Sequence, residues 1–294
     1  MEPQQMTKGQ RAVKAAYSTS DMTVLVCTFV GFFLLTCAYF IVSYIMTFFE
    51  QPDQTPADFI LGLLGTLFMG GVLFVGILLF GMFYVRIMRQ TILGNSLQIE
   101  YSDYAWLRDW ANEVAADLQM PRVEIFVTQD PVINAYAFGF ARPYCIVLHS
   151  GSIRYLTHDE LRVVVVHEMA HIKYGHTMAS VYLQPFLNIP FVGPIATWFA
   201  GFWSRRAELT ADRLALMYMR KPELVKESLI KVHVGPDVAK AMNEVARQWL
   251  QYTAERPMNR FAQTLSSHPF LVRRLSHIDR YKAAVEPVPP SSVV

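Results

Sequence analysis

The chain has 294 residues, of which 53% are hydrophobic and only 17% charged, with a formal net charge of +2. That is apolar and charge-poor for a soluble globular protein, and the scattered, nearly balanced charge gives no reason to expect a nucleic-acid partner. Its three cysteines have no paired spacing, which excludes a disulfide framework or a zinc ribbon.

The chain opens on a polar stretch, Met1 to Asp21, with Lys8, Arg11 and Lys14 against Glu2 and Asp21. Met22 to Phe49 then runs 28 residues without a charge, about 42 Å as a helix and more than enough to cross a bilayer. Glu50 to Asp58 is an acidic turn with two prolines, and Phe59 to Val85 is a second uncharged run of 27 residues, closed by Arg86 and Arg89. These predict two transmembrane helices. A cleaved signal peptide fits the first run poorly, because its polar leader is long and its apolar region far exceeds the usual length of such a region.

In the second run Gly62, Thr66 and Gly70 recur every four residues. This is a small-residue face able to pack on the first helix, although glycine is common in membrane helices for other reasons too. Positive charge flanks the pair at both outer ends and is missing from the connecting turn, so both ends are expected on the cytoplasmic side. Cys27 and Cys37 inside the first run, a lone Cys145 and the lack of a glycosylation sequon agree with a reducing side.

From about Tyr101 the pattern becomes globular. Tyr104, Leu107, Trp110, Val114 and Leu118 have helical spacing, with Ser102 or Asp103 as cap and Pro121 as stop. Val123–Thr128, Asn134–Phe140 and Tyr144–Leu148 read as strands. A small sheet of this kind could offer an edge to an extended peptide, or be an ordinary core hairpin.

Thr157-His158-Asp159-Glu160 fits a capping box, and the helix it starts is expected to reach about Lys173. Four consecutive valines, Val163 to Val166, mark that helix as buried. His167-Glu168-Met169-Ala170-His171 follows and reads H-E-x-x-H. On a helix His167 and His171 lie about 40° apart, so one ion can take both imidazoles, and Glu168 lies close enough to hold a water. Zinc favours two imidazoles, a third protein ligand and an open position, with a carboxylate to shuttle the proton. This is the arrangement a zinc peptidase needs. His176, nine residues from His167, is expected at a surface or a helix end and not as a ligand.

Val181–Trp203 is apolar but holds Gln184, Pro185, Asn188, Pro190, Gly193 and Pro194, and it leads to a helix pattern with Glu208 and Asp212 on one face. A single crossing of the membrane here would leave Glu208 about 30 Å from the histidines, whereas a zinc ligand sits about 2 Å from the ion. If Glu208 is a ligand, the segment must enter and leave on one side as a broken, re-entrant or interfacial hairpin, or pack on protein.

H-E-x-x-H followed by E-x-x-x-D resembles the gluzincin peptidases. The fuller set is similar to the HtpX-type membrane-bound zinc metalloendopeptidases, relatives of the CAAX prenyl and OMA-type proteases. Its pieces are Asn134-Ala135-Tyr136-Ala137, His167 to His171, Glu208 with Ala211-Asp212, and Ser267-His268-Pro269 with Arg274-Leu275. In order and spacing they cover about Tyr101 to Tyr281, and the two amino-terminal apolar helices match as well.

The resemblance implies one zinc per chain, held by His167, His171 and Glu208, with Asp212 hydrogen-bonded to a ligand histidine, His167 foremost. It implies that Glu168 is the catalytic base, that His268 approaches the oxyanion and that Arg274 positions the site electrostatically. Asn134, Ala135 and Tyr136 would face the substrate chain. Without the resemblance, Glu208 and Asp212 read as an exposed acidic pair, His268 as a helix cap and Arg274 as a surface charge. One departure stands out: only 36 residues separate His171 from Glu208, fewer than the two further membrane helices of HtpX proteins need.

The expected fold class is α+β, a mostly helical zincin-like domain with a small β-sheet, preceded by a two-helix transmembrane hairpin. Residues 1–21 form a cytoplasmic polar segment, 22–89 the hairpin, 90–284 the peptidase domain with a membrane-associated insertion at 181–203, and 285–294 a loose tail. Helices are expected over Pro222–His233, Pro236–Glu255 and Pro269–Ala284. The implied function is membrane-anchored endoproteolysis of misfolded or regulatory membrane proteins, on the cytoplasmic side of a bacterial inner (plasma) membrane. Polypeptide substrates and the lipid bilayer are the implied partners; an oligomer or a membrane-protein partner is not readable. A zinc-binding scaffold without catalysis and a CAAX-type prenyl protease are the competing readings.

Overall fold

Capping chemistry and apolar length set the first three helices. The computed structural model describes residues 6–50, 55–139, 142–183, 187, 193–266 and 268–285. Helix α1 (Lys8–Ala16) opens on a capping box in which Thr7 N–H donates to the Gln10 side chain at 2.9 Å. Helices α2 (Thr19–Phe49) and α3 (Pro56–Asn95) contain the two uncharged runs. A second capping box, Thr55 with Asp58, starts α3, with Pro56 in its first turn where no amide hydrogen is needed. The helix runs ten residues past Val85, because Arg86–Leu93 contains no residue that breaks it. Arg89 on this extension pairs with Glu124 at 2.7 Å and ties the helix to the domain beyond.

Both helices are long and apolar enough to cross a membrane, and their apolar windows are only 11% and 0% buried by protein. A core helix would be covered by protein; these present their side chains outward, and lipid is the solvent that suits them. They localise the chain to a membrane. Within the hairpin, a Cβ added at Gly62 would strike the Tyr44 ring, and one at Gly70 would touch Phe40. The small-residue face therefore does lie against α2. Tyr44 OH donates to the Phe59 carbonyl at 3.1 Å and pins the hairpin near its turn.

The rest of the chain is a helical domain around a four-stranded sheet. The strands β1 (Ser96–Gln98), β2 (Val123–Thr128), β3 (Ala135–Phe138) and β4 (Tyr144–His149) lie in the order β1-β2-β4-β3. Strands β2 and β4 are parallel, and the other pairs antiparallel. That leaves β3 at an edge. The short β1 has no counterpart in the expected elements: three residues are too few for a periodicity to show.

Helices α4 (Ala105–Asp117) and α5 (Ser150–Tyr155) flank the sheet, and α6 (His158–Lys173) crosses the core. The capping box of α6 forms as expected, with Thr157 N–H donating to Glu160 at 2.8 Å. The other Glu160 oxygen takes Lys231 at 2.6 Å, which satisfies a carboxylate that is buried. Valines disfavour a helix by about 0.5 kcal/mol each, but burying a valine contributes about 1.5–2 kcal/mol. Val163, Val165 and Val166 are buried, so packing wins over local preference.

Helix α7 (His176–Leu183) runs beside α3, and α8 (Gly193–Met219) returns beside α2. Ala179, Leu183, Ala196, Trp203 and Ala207 form an apolar cluster with Phe32 of α2. The expected break at Gln184, Pro185, Asn188 and Pro190 lies outside the described residues, as do residues 51–54 of the turn, Phe140, Ser267 and 286–294. Helices α9 (Pro222–Val234), α10 (Pro236–Ala241), α11 (Glu244–Glu255), α12 (Pro257–Leu265) and α13 (Leu271–Tyr281) complete the fold. The single helix expected over Pro236–Glu255 is two, parted at Met242–Asn243, where Asn243 caps α11.

Candidate metal centre

Three helices bring the polar groups together. His167 and His171 come from α6, Glu208 and Asp212 from α8, and Arg274 from α13. The Nε2 atoms of His167 and His171 are 3.2 Å apart, and Glu208 carboxylate oxygens lie 3.5 Å from the first and 3.7 Å from the second. Ligands bonded at about 2.0–2.1 Å to a tetrahedral ion are separated by about 3.3–3.4 Å. The three side chains therefore fit one divalent metal ion. Among the described residues they are the group of His, Cys, Asp and Glu side chains close enough to share an ion.

Each donor is oriented by a neighbour. Asp212 Oδ1 lies 3.1 Å from His167 Nδ1, so with a metal bound that nitrogen would keep its proton and Nε2 would offer its lone pair to the ion. Asp212 is itself held by Arg274 through two hydrogen bonds, Nε to Oδ2 at 2.7 Å and Nη2 to Oδ1 at 2.6 Å. Arg274 also reaches Glu208 at 3.2 Å. This arginine is buried and belongs to the site; it is not a solvated surface charge.

His176 stands at a helix end, the start of α7, and outside the donor set, as expected, but not at a surface. It is buried, and its Nδ1 lies 3.1 Å from Nδ1 of His171. The expectation extended the α6 periodicity to residue 176, but α6 ends at Lys173 and Gly175 turns the chain at φ 72°. Beyond that glycine the helical angle no longer applies, and His176 swings back beneath His171, edge-on to Trp203 of α8. The glycine was the readable signal.

Glu168 is buried beside the donors, and its Oε2 accepts the Ala137 amide of β3 at 2.7 Å. Burial pushes its carboxyl up from the usual carboxylate range. Burial also opposes charge on the other groups, but partners outweigh it. Asp212 and Glu208 raise His167 to about 10, and Arg274 holds Asp212 at about 2 and Glu208 well below its ordinary value. These directions belong to the metal-free site, where a proton on His167 stands in for the cation. His171, with burial dominant, falls to about 3 and is neutral.

The remaining expected residues divide. His268 is largely exposed and approaches Glu208 with Nδ1 at 3.3 Å from Oε1. Ala135 and Asn134 line a cavity of about 330 Å³ that opens on His167, Glu168 and Glu208. Tyr136 lines a second cavity, on the His171 side, together with His176. The Asn134 main chain is already committed: its amide donates to Ser152 Oγ at 3.0 Å, and its carbonyl accepts His149 N–H at 3.0 Å. Its side chain accepts the Ala135 amide at 2.9 Å. The far wall of the larger cavity comes from α9, with Val225, Leu229 and Val232 beside Ser228 and His233. Nothing in the sequence sets those apolar residues apart from ordinary core.

A model of peptidase family M48 matches residues 102–201 and 186–282, which together hold all of these side chains. The chain belongs to peptidase family M48. It is 31% identical over 228 residues to the plastoglobule-localized metallopeptidase 48, chloroplastic, of Arabidopsis thaliana, covering 71% of this chain and 66% of that protein. It is 35% identical over 77 residues to the protease HtpX homolog of Persephonella marina, covering 26% of this chain and 27% of that one. The M48 chain thus spans just under two thirds of the first relative and about a quarter of the second. The crystal structure of S. mikatae Ste24p aligns at 16% identity and a TM-score of 0.43, over 89% of this chain and 67% of that one.

Proposed function

We propose that this M48 protein is a zinc-dependent, membrane-anchored endopeptidase of the gluzincin type, with H-E-x-x-H and E-x-x-x-D as its ligand-bearing motifs. The observation that carries the reading is the position of Glu168. It lies next to three donors that fit a tetrahedral ion and at the mouth of a cavity able to take a side chain. A structural metal site has no use for a buried carboxylate beside it, which disfavours a non-catalytic scaffold.

In the proposed mechanism His167, His171 and Glu208 hold one zinc. Bound zinc supplies Lewis acidity at this place, lowering the pKa of water and polarising a carbonyl. Glu168, oriented by its bond from Ala137 N–H, takes the proton from the attacking water at Oε1 and passes it to the leaving amine. Burial raises its pKa in the metal-free site, the direction that makes the carboxylate a stronger base. His268 approaches the carbonyl oxygen as charge develops. Arg274 acts through Asp212 and Glu208, and Ala135 and Tyr136 flank the bound chain.

Residues 22–89 form the anchor and 90–284 the peptidase domain, with 181–203 as a membrane-associated insertion. The return of Glu208 to the histidines supports an insertion that enters and leaves on one side. The charge bias of the hairpin supports a cytoplasmic site, and misfolded or regulatory membrane proteins suit an enzyme so anchored. The test is purified Glu168→Gln protein in detergent, assayed for bound zinc and for casein cleavage. Zinc retained with cleavage abolished is expected; cleavage at the wild-type rate would overturn the mechanism. A prenylated peptide offered beside casein separates the prenyl-protease reading.

A further inference from the structure

Two helices far along the chain carry an apolar face that no part of the described protein covers. On α11, Val245, Trp249 and Tyr252 follow i, i+4, i+7 spacing and share one face, while Glu244, Arg247 and Gln251 lie on the other. On α12, Met258 and Phe261 are spaced i, i+3. All five are exposed, from 56% for Tyr252 to 75% for Met258. The Arg256 guanidinium sits 5.8 Å from the Trp249 ring and 4.9 Å from the Tyr252 ring, a cation among aromatic side chains.

The level of this arm relative to the bilayer follows from charge. The last charge before the α2 apolar run is Asp21, and the first charges on α8 after its apolar start are Arg205 and Arg206. These boundaries coincide: Arg206 pairs with Asp21 at 2.8 Å, and Thr210 donates to the same carboxylate. The pair marks where lipid gives way to water. One residue away, Arg205 donates to the Ser266 carbonyl just past the end of α12, and a Cβ added at Gly201 would also press on that carbonyl. The end of α12 is therefore fastened to α8 at the boundary itself. Phe202 is exposed on α8, with the Arg205 guanidinium 5.9 Å from its ring.

We propose that α11 and α12 form an interfacial arm lying in the headgroup layer of the membrane that the hairpin spans. The aromatic and apolar face sits at the acyl boundary, and Arg247, Arg256 and Arg260 meet lipid phosphates. The occupant is lipid because the arm is fastened to α8 at the charged boundary, where α8 exposes Ile195, Trp198 and Phe202, and because aromatic rings with arginine suit a half-wet, half-apolar layer. The loop bearing His268 leaves this arm directly after Ser266, so it hangs over the metal centre from a support in the bilayer surface.

The test uses the full chain with Cys27→Ala and Cys37→Ala, carrying a fluorescent NBD label at Met258→Cys or, as control, at Glu223→Cys; Cys145 is buried. The control begins α9, beyond the far end of α8 and about 20 Å from the charged boundary. Each protein is reconstituted in phosphatidylcholine–phosphatidylglycerol vesicles with a spin label either near the headgroup or at the acyl terminus. Several-fold stronger quenching of the Met258 label than of the control by the shallow spin label, weaker quenching by the deep one, and loss of the difference in Trp249→Glu/Phe261→Glu are expected. Equal quenching at both positions would overturn the proposal. So would a Met258 label shielded from aqueous iodide yet untouched by lipid quenchers, since a protein surface would then cover the face. The readout is lipid contact and does not depend on cleavage.

Discussion

Arg274 clasps Asp212 with two hydrogen bonds of 2.7 and 2.6 Å, and through that carboxylate it governs the far nitrogen of His167. The fork is planar and matches both carboxylate oxygens, a geometry that lysine cannot reproduce. Arg274→Lys is expected to fold but to bind zinc about 10–100-fold more weakly, as loss of an outer-sphere orienting group does. Arg274→Ala should in addition cost about 3–5 kcal/mol of stability by leaving buried carboxylates unpaired. Zinc competition with a chelating dye and urea unfolding measure the two effects. A folded Arg274→Lys protein with wild-type affinity would refute the orienting role.

Glu208 closes the donor set from a different helix. In Glu208→Ala, elemental analysis of the purified protein should find most of the zinc gone, because two histidines alone hold the ion weakly. Zinc retained at one per chain would mean that another residue supplies the third bond.

His176 should act as a positioning residue for His171. Replacing it with leucine removes the partner of His171 Nδ1 at nearly the same volume, and a drop of about tenfold or more in metal affinity is expected. Cobalt substitution gives a readout that a merely structural role would not move: the visible bands of the cobalt protein should shift in His176→Leu and partly recover in His176→Gln. Unchanged bands and affinity would count against the contact.

The metal-free protein should lose stability as pH rises above neutrality. His167 titrates near 6.5 when unfolded and at about 10 in the folded, metal-free site. Between those values the native state holds the extra proton, so the stability that His167 contributes is full below about 6.5 and is lost as pH rises through about 10. Thermal melts of chelator-treated protein should show this fall, and melts with zinc should not, because the ion replaces the proton. In His167→Asn the slope of the metal-free protein should flatten; a slope that persists would assign it to another group.

Much of this was legible because it is local. The α6 capping box, the placement of His167, Glu168 and His171 on one turn, and two uncharged runs long enough for a bilayer depend only on residue spacing and composition. The α+β class and the strands β2 and β4 followed from periodicity in the same way. Local spacing failed where it was carried across a break: past Gly175, His176 does start a helix, but it is buried against His171 and not at the surface.

By itself the sequence determined which side chains one helix can offer a metal and which segments water will not solvate, since both follow from backbone geometry and transfer energy within a single element. Only the tertiary structure decided that α8 and α13 bring Glu208, Asp212 and Arg274 to within 2.6–3.7 Å of their partners. It also decided that α9 walls the cavity and that Arg205 fastens the end of α12 to α8. Those distances are set by how buried apolar faces pack, and packing between elements far apart in the chain leaves no periodic mark on any one of them.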